Sequence, residues 1–322
     1  MRPLVEHVLD NQFGGTAIYE AGFNTSNLRE AGHYWDVECA NVSDNITHTY
    51  QLGTDVLENI LKSTVSLIKL GIDPFRHPGA PPTCPNGPNK SSGHRNGLGL
   101  TPAGEIAIRE MMKRGMIIDI DHMSQKTADA VLDIAESYGF PVVSGHTGIR
   151  GLAGSKAENS RTPRQMERIS KLHGMFGLGS DGASAWGWSG LYQSAMLTMG
   201  YLDRDTAKAT YENGAVSFGT DLNGLVKGPQ PGGGSRVVYG PEFRMSTSGA
   251  KFWNYNTEGV AHYGMLTDFL VDVRTAPSNG YSSGGMPLGV DGKELVDHHL
   301  FRSANYFWQM WERIEARKSS VP

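Results

Sequence analysis

Short apolar runs alternate with amphipathic stretches through the middle of the chain. The runs at 116–121, 141–145, 175–180 and 215–220 are bounded by glycine, proline or polar residues, which is the pattern of short buried strands. The stretches between them repeat apolar residues at helical spacing. Strand, helix and strand in this order predict a parallel sheet whose strands are joined by helical crossovers.

Capping signals define the helices between these strands. Thr101 followed by Pro102 is typical of a helix start, and Thr162 to Gln165 forms a capping box with proline inside it. The predicted helices run from Pro102 to Arg114, from the Ser124 cap to Gly139, from the Thr162 box to about Leu172, and over 203–213.

The flanking regions predict one further strand and more helices. A strand is expected at 3–8 and a helix at 54–70, and amphipathic helices are expected at 258–274 and 293–317. Glycine, proline and serine concentrate at 79–99 and 224–249, a composition typical of long loops. We therefore expect one partial hydrolase-type domain over 1–322, with a loop insertion at 224–257 and a helical tail at 258–318.

The predicted strand count limits the architecture. About five strands are expected, whereas a closed (β/α)₈ barrel needs eight. The fold class is therefore α/β, either as an open sheet or as an incomplete TIM-type barrel.

Composition describes a globular protein and excludes several classes of partner. Hydrophobic residues make up 39% of the 322 residues and charged residues 19%, with a formal net charge of −4, so nothing favours nucleic acid. No apolar stretch approaches the roughly 20 residues of a membrane span. The first ten residues carry a charge every few positions, which argues against a signal peptide there.

The two cysteines leave their redox state open. Cys39 and Cys84 both lie in the loop-like first third of the chain. They could pair in an oxidising compartment or remain free thiols.

Candidate chemistry sits at the strand ends. His122 follows one predicted strand, His146 follows the next, and Asp221 follows the last in SFGTDLNG. The ends of parallel strands open onto one shared edge, so these groups should converge. Two imidazoles and a carboxylate would hold a divalent metal with open positions for water and substrate. His7, after the first predicted strand, would reach the same rim.

A structural interpretation competes with this one. A single strand-end histidine is more often a hydrogen-bonded structural residue than a ligand, so both interpretations stay open at this point. His262, His298 and His299 fall in the tail helices, where a structural or solvated role is expected. Trp186 and Trp188 are expected in the core or as loop anchors.

Two segments carry a family resemblance. GLTPAGEIAIREMMKRGMIIDIDHMS followed by PVVSGHTG resembles the membrane dipeptidase (renal dipeptidase) family of zinc peptidases in the amidohydrolase superfamily. Weaker similarity covers HVLDNQFGG near residue 7 and FGTDLNG near 221. The resemblance implies a (β/α)₈ barrel with a two-zinc centre at the C-terminal ends of its strands.

The resemblance also implies a role for each matching residue. His122 and His146 would be ligands of one zinc, and Asp221 would be the carboxylate beside the other zinc that shuttles a proton. His7 would stabilise the oxyanion formed from the scissile carbonyl. Arg161 would bind the free carboxylate of the substrate, a role that suits the planar guanidinium fork.

Two other residues compete for these roles. Asp181 in GLGSDGAS also resembles the family's Gly-Ser-Asp pattern, but only one strand separates it from His146, whereas two are expected before the catalytic aspartate. Asp221 therefore fits the order better. Arg150 is the alternative to Arg161.

The sequence departs from the family pattern at its beginning. No His-x-Asp pair precedes His7, and the bridging glutamate of the family cannot be identified. The chain is therefore expected to correspond to the C-terminal part of such a barrel, with a metal site for one or two zinc ions that is incomplete.

The predicted function is a zinc-dependent, dipeptidase-like hydrolase that cleaves a dipeptide or a similar small amide with a free carboxylate. The alternatives are a catalytically impaired remnant that acts as a binding or partner chain, and another amidohydrolase-type hydrolysis. Expected partners are a small peptide and either a second copy, joined through an exposed edge strand at 3–8, or a chain that supplies the missing strands. The sequence leaves the compartment open, including export.

Overall fold

The structure, a computed structural model, describes residues 37–47, 84, 93–152, 156–180, 182–202, 214–222, 227–232, 237–278 and 289–322. The strand predicted at 3–8 and the helices predicted at 54–70 and 203–213 lie outside these residues. The chain divides into two compact units. In the described part, the first unit holds 37–47, 84, 93–99, 124–127 and 156–158, and the second holds the rest.

The first unit contains a small antiparallel pair of strands. β1 (Val37–Cys39) pairs with β2 (His94–Asn96). The guanidinium of Arg95 binds Glu38 and Asp44, with both N–O distances at 2.7 Å. A disulfide joins Cys39 to Cys84, which answers the question that the sequence left open.

A four-stranded parallel sheet forms the centre of the second unit. Its strands are β3 (Ile118–Asp119), β4 (Val142–Thr147), β5 (Met175–Gly179) and β6 (Val216–Gly219), and they lie side by side in chain order. All neighbours are parallel, which confirms the predicted α/β class. These four described strands form an open sheet, and their place in an incomplete TIM-type barrel stays a prediction.

Three helices begin where the sequence predicts. They are α1 (Pro102–Lys113), α2 (Gln125–Tyr138) and α3 (Pro163–Lys171). The hydroxyl of Thr101 accepts a hydrogen bond from the backbone N–H of Gly104. The Thr162 box is complete, because Thr162 and Gln165 each bind the other's backbone N–H. Such caps satisfy N–H groups that have no partner inside the helix.

The helix α4 (Ala185–Thr198) was not predicted. Its core-facing residues surround the helix instead of forming one stripe, so it lacks the periodicity of an amphipathic helix. Trp188 is fully buried and packs edge-on against Phe218 and Phe269, with ring centroids 5.1 Å and 5.7 Å away. This confirms the core role expected for Trp188.

The segment after the sheet is more regular than its composition suggests. Within 224–257, predicted as a loop, the described residues form a hairpin of β7 (Ser246–Ser248) and β8 (Lys251–Trp253). Strands of three residues are too short to show an alternating pattern. In the predicted tail, α5 (Leu266–Val273), a π-helix at Leu295–Leu300 and α6 (Ser303–Arg317) follow.

Candidate metal centre

Two imidazoles meet at the carboxyl-terminal ends of β3 and β4. His122 follows β3, whereas His146 lies inside β4, because this strand extends two residues beyond its predicted end at 145. The Nε2 atoms of His122 and His146 lie 2.8 Å apart, and their ring centroids are 4.9 Å apart. His122 is exposed and His146 is half-buried, so the pair opens to solvent. The sequence predicted that these two residues would converge, and the structure brings them together.

A change in backbone conformation places His122 at this point. Side chains alternate along an extended strand, so His122 would face away from the side shared by Asp119 and Asp121. The backbone of His122 is left-handed instead, with φ of 60°. This left-handed residue lies three positions after the end of β3 and ends the extended run.

Asp121 is held tightly against His146. Its Oδ2 lies 2.9 Å from Nδ1 of His146 and accepts a hydrogen bond of 2.6 Å from the backbone N–H of the same residue. Its Oδ1 accepts a hydrogen bond from the hydroxyl of Ser144. The Asp121 side chain is only 4% exposed, so these contacts largely replace its hydration.

Asp119 supports the same turn. Its Oδ1 accepts a hydrogen bond of 2.9 Å from the backbone N–H of Asp121. The pKa of Asp119 is raised, chiefly because its carboxyl group is partly desolvated. The nearby charge of Asp121 also raises this pKa. The residue as a whole is exposed.

Asp119, Asp121 and His146 form one compact group of ligating atoms. One such atom from each residue lies within 4.8 Å of the others, and this is the one group of three among the residues that the structure describes. The sequence prediction missed both aspartates. The signal was present in IIDIDH, because two acids two positions apart at the end of an apolar strand share one face.

Asp221 lies two residues after the end of β6, on a left-handed backbone with φ of 47°. It is exposed, and it belongs to no group of three ligating residues in the described ranges. Its role beside a metal therefore stays a prediction.

Glycines let the strands approach each other at the centre. A Cβ atom on Gly177 or on Gly219 would lie 2.0 Å from the carbonyl oxygen of Gly145. A Cβ on Gly219 would also come within 2.8 Å of the Cβ of His146. The position of His146 thus depends on the absence of a side chain at these glycines of β5 and β6.

The two candidate arginines bind backbone carbonyls. Arg161 is fully buried, and its Nη2 donates to the carbonyl of Asn159 at 2.6 Å. Arg150 is also buried, and its Nε and Nη2 both donate to the carbonyl of Ser160. Both side chains therefore fasten the turn that precedes α3, and a role in binding a substrate carboxylate stays a prediction for either one.

The remaining predicted residues divide into two groups. His7 and Asp181 lie outside the described residues. His298 is exposed, whereas His299 is buried in the π-helix, and His262 accepts a hydrogen bond from the backbone N–H of Gly264.

Within the described ranges, no helix combines the length and apolar character needed to cross a membrane.

The donor set suits a divalent cation. Imidazole nitrogen together with carboxylate oxygen is a common environment for zinc and similar ions. The 2.8 Å contact is a hydrogen bond between the two ring nitrogens, and a tetrahedral ion with bonds of about 2.0–2.1 Å would separate them to about 3.3–3.4 Å. His122 and His146 could hold an ion between their Nε2 atoms. Asp119 and Asp121 form the compact group with His146, and Asp121 contacts the Nδ1 side of that imidazole.

The fold and this site define an α/β protein with a candidate metal centre at the ends of its parallel strands. Residues 84–180 match the family model of membrane dipeptidases, peptidase family M19. The match includes both His122 and His146, and it confirms the predicted family resemblance over this part of the chain. No curated protein matches the chain.

Several solved structures are similar to parts of the chain. Dipeptidase AC, a metallopeptidase of family M19, is 21% identical over 42% of this chain and 38% of its own, with a TM-score of 0.34. A metallopeptidase from Rhodobacter sphaeroides, liganded with a phosphinate mimic of the dipeptide L-Ala-D-Ala, is 22% identical over 42% of this chain and 37% of its own, with a TM-score of 0.34. An amidohydrolase from Pseudomonas aeruginosa is 18% identical over 68% of this chain and 59% of its own, with a TM-score of 0.36. The chain thus spans about two fifths of the length of the first two of these proteins.

Proposed function

We propose that the chain is a zinc-dependent hydrolase that cleaves a dipeptide or a similar small amide with a free carboxylate. The observation that carries this proposal is the 2.8 Å separation of the Nε2 atoms of His122 and His146 at the carboxyl-terminal ends of two adjacent strands. The family match over 84–180, which contains both residues, supports the same reaction class.

Each predicted site residue would have a separate role in the hydrolysis. His122 and His146 bind the cation, which when bound would polarise a carbonyl group and lower the pKa of a water molecule. Asp221 would accept and pass on a proton, as the exposed carboxylate next to the sheet edge. His7 would stabilise the oxyanion, and Arg161 would hold the substrate carboxylate.

Metal binding is the first test. We expect the protein, after zinc loading and dialysis, to retain zinc measured by atomic emission, and His146→Ala to lose most of it. His298→Ala is the matched control, because His298 is an exposed imidazole outside the cluster. Hydrolysis of a dipeptide panel should follow zinc content across the three proteins.

Two outcomes would contradict the proposal. One is a wild-type protein that retains no zinc although it is folded by circular dichroism. The other is equal zinc content and equal dipeptide cleavage in the wild-type protein and in His146→Ala.

A further inference from the structure

We propose that Asp121 is a positioning residue: it holds the imidazole of His146 in the tautomer and orientation that direct Nε2 toward His122. The inference rests on the proposed function, because it specifies on which side of His146 the ion would bind. It concerns a residue that would act through His146, without touching the substrate.

The first step is the direction of the hydrogen bond between Asp121 and His146. An ionised carboxylate can only accept hydrogen bonds. The contact of 2.9 Å between Oδ2 and Nδ1 therefore requires a proton on Nδ1 of His146. In the neutral imidazole, this leaves the lone pair on Nε2, which faces His122 at 2.8 Å.

The second step is the anchoring of the carboxylate itself. The hydroxyl of Ser144, a fully buried residue of β4, donates to Oδ1. The backbone N–H of His146 donates to Oδ2 at 2.6 Å. The carboxylate is thus fixed by the same strand that carries the imidazole, so that Asp121 and His146 move as one unit.

The third step separates positioning from direct ligation. Both oxygens of Asp121 already accept hydrogen bonds from β4, and the side chain is 4% exposed. The Nε2 side of His146 instead faces the exposed imidazole of His122. A carboxylate that binds the outer nitrogen of a ligating histidine is a common way to fix its tautomer and raise its basicity.

The test begins on metal-free protein. Two-bond ¹H–¹⁵N correlation spectra report which ring nitrogen of His146 carries the proton. We expect a proton on Nδ1 in the wild-type protein and a mixture of tautomers in Asp121→Ala. Asp121→Asn keeps an oxygen that can accept from Nδ1, so it should preserve the tautomer.

The second measurement is zinc affinity by competition with a chromophoric chelator. Loss of such outer partners typically lowers metal affinity about 10- to 100-fold, so we expect a loss in this range for Asp121→Ala and a smaller loss for Asp121→Asn. Asp133→Asn, which removes one exposed carboxylate on α2, is the charge-matched control and should bind zinc as the wild type does. If Asp121→Ala does not fold, Ser144→Ala takes its place, and zinc affinity should again fall because the carboxylate of Asp121 loses the hydrogen bond from this hydroxyl.

The outcomes distinguish the two proposals. An unchanged His146 tautomer together with unchanged zinc affinity in Asp121→Ala would overturn the positioning role, even if zinc binding by the wild type supports the proposed function. A wild-type protein without zinc affinity would overturn the proposed function, while the tautomer spectra would still decide whether Asp121 orients His146.

Discussion

At the scale of single residues, His299 shows how strongly burial controls ionisation in this protein. The side chain lies in the π-helix at Leu295–Leu300 and is 4% exposed. Burial lowers the pKa of His299 to about 4 from an ordinary value of 6.5. The folded protein therefore holds this imidazole neutral over most of the acidic range.

This pKa predicts a loss of stability in mild acid. Between pH 6.5 and 4 the unfolded chain binds a proton at His299 and the folded chain does not, so the free energy of unfolding falls as the pH falls through that window. The full effect is about 3 kcal/mol. Urea unfolding at pH 7, 5.5 and 4.5 should show a weaker pH dependence in His299→Gln than in the wild type. An equal weakening in His298→Gln, whose side chain is half exposed, would contradict this explanation.

At the scale of secondary-structure elements, the register shift in β4 is the central feature. The pairing of β4 with β5 shifts between Ser144 and Thr147. At this shift the carbonyl of Gly145 points to the space where Gly177 and Gly219 would carry side chains. The packing of three strands at the candidate metal centre thus depends on two missing Cβ atoms.

Adding one of these Cβ atoms should be costly. In Gly219→Ala the new methyl group would lie 2.0 Å from the carbonyl oxygen of Gly145 and 2.8 Å from the Cβ of His146. We expect a destabilisation of about 3 kcal/mol, at the upper end for overpacking, and weaker zinc binding because His146 moves. Chemical denaturation and zinc titration measure both effects. Gly240→Ala, where nothing lies within 4 Å of the new atom, should change neither, and similar results for the two variants would refute the packing argument.

The sequence predicted the sheet and its first helices because each carries a local signal. Apolar runs define β3 to β6, and threonine caps define α1 and α3. The sequence did not predict the helix α4, because this helix is buried on most sides and lacks a polar stripe. It did not predict the hairpin of β7 and β8, because each of these strands has only three residues.

The sequence predicted only part of the candidate metal centre, because only some of its contacts follow from a local pattern. Strand order alone brings His122 and His146 to one edge, so their approach could be inferred from the pattern. The contacts of Asp121 with Ser144 and His146 depend on the register of β3 against β4, which no periodicity reveals. The burial of Arg161 likewise follows from the turn at 159–161, where its fork binds a backbone carbonyl.

At the scale of the whole molecule, the two compact units differ in what stabilises them. The described part of the first unit combines strands of three residues with a disulfide and ion pairs. Among the described residues, the second unit has the parallel sheet and most of the buried apolar side chains. A covalent link is expected to matter more where paired strands are short, because they contribute few contacts of their own.

Reduction should therefore weaken the first unit. The Cys39–Cys84 bond closes a loop with a sequence separation of 45, for which the loss of loop entropy corresponds to about 4 kcal/mol. Hydrogen exchange should become faster at 37–39 and 94–96 in the Cys39→Ser/Cys84→Ser variant. Peptides from β5 serve as the internal reference, and unchanged exchange at both β1 and β2 would show that the disulfide does not stabilise this unit.

The left-handed backbone at His122 has a consequence for engineering this protein. Such a conformation costs most residues about 1–2 kcal/mol, whereas asparagine and glycine adopt it more readily. A selection for heat resistance alone would therefore favour asparagine or glycine at position 122 and discard an imidazole of the candidate centre. Evolution experiments on this scaffold need to score cation affinity alongside melting temperature, because at this position the two properties are opposed.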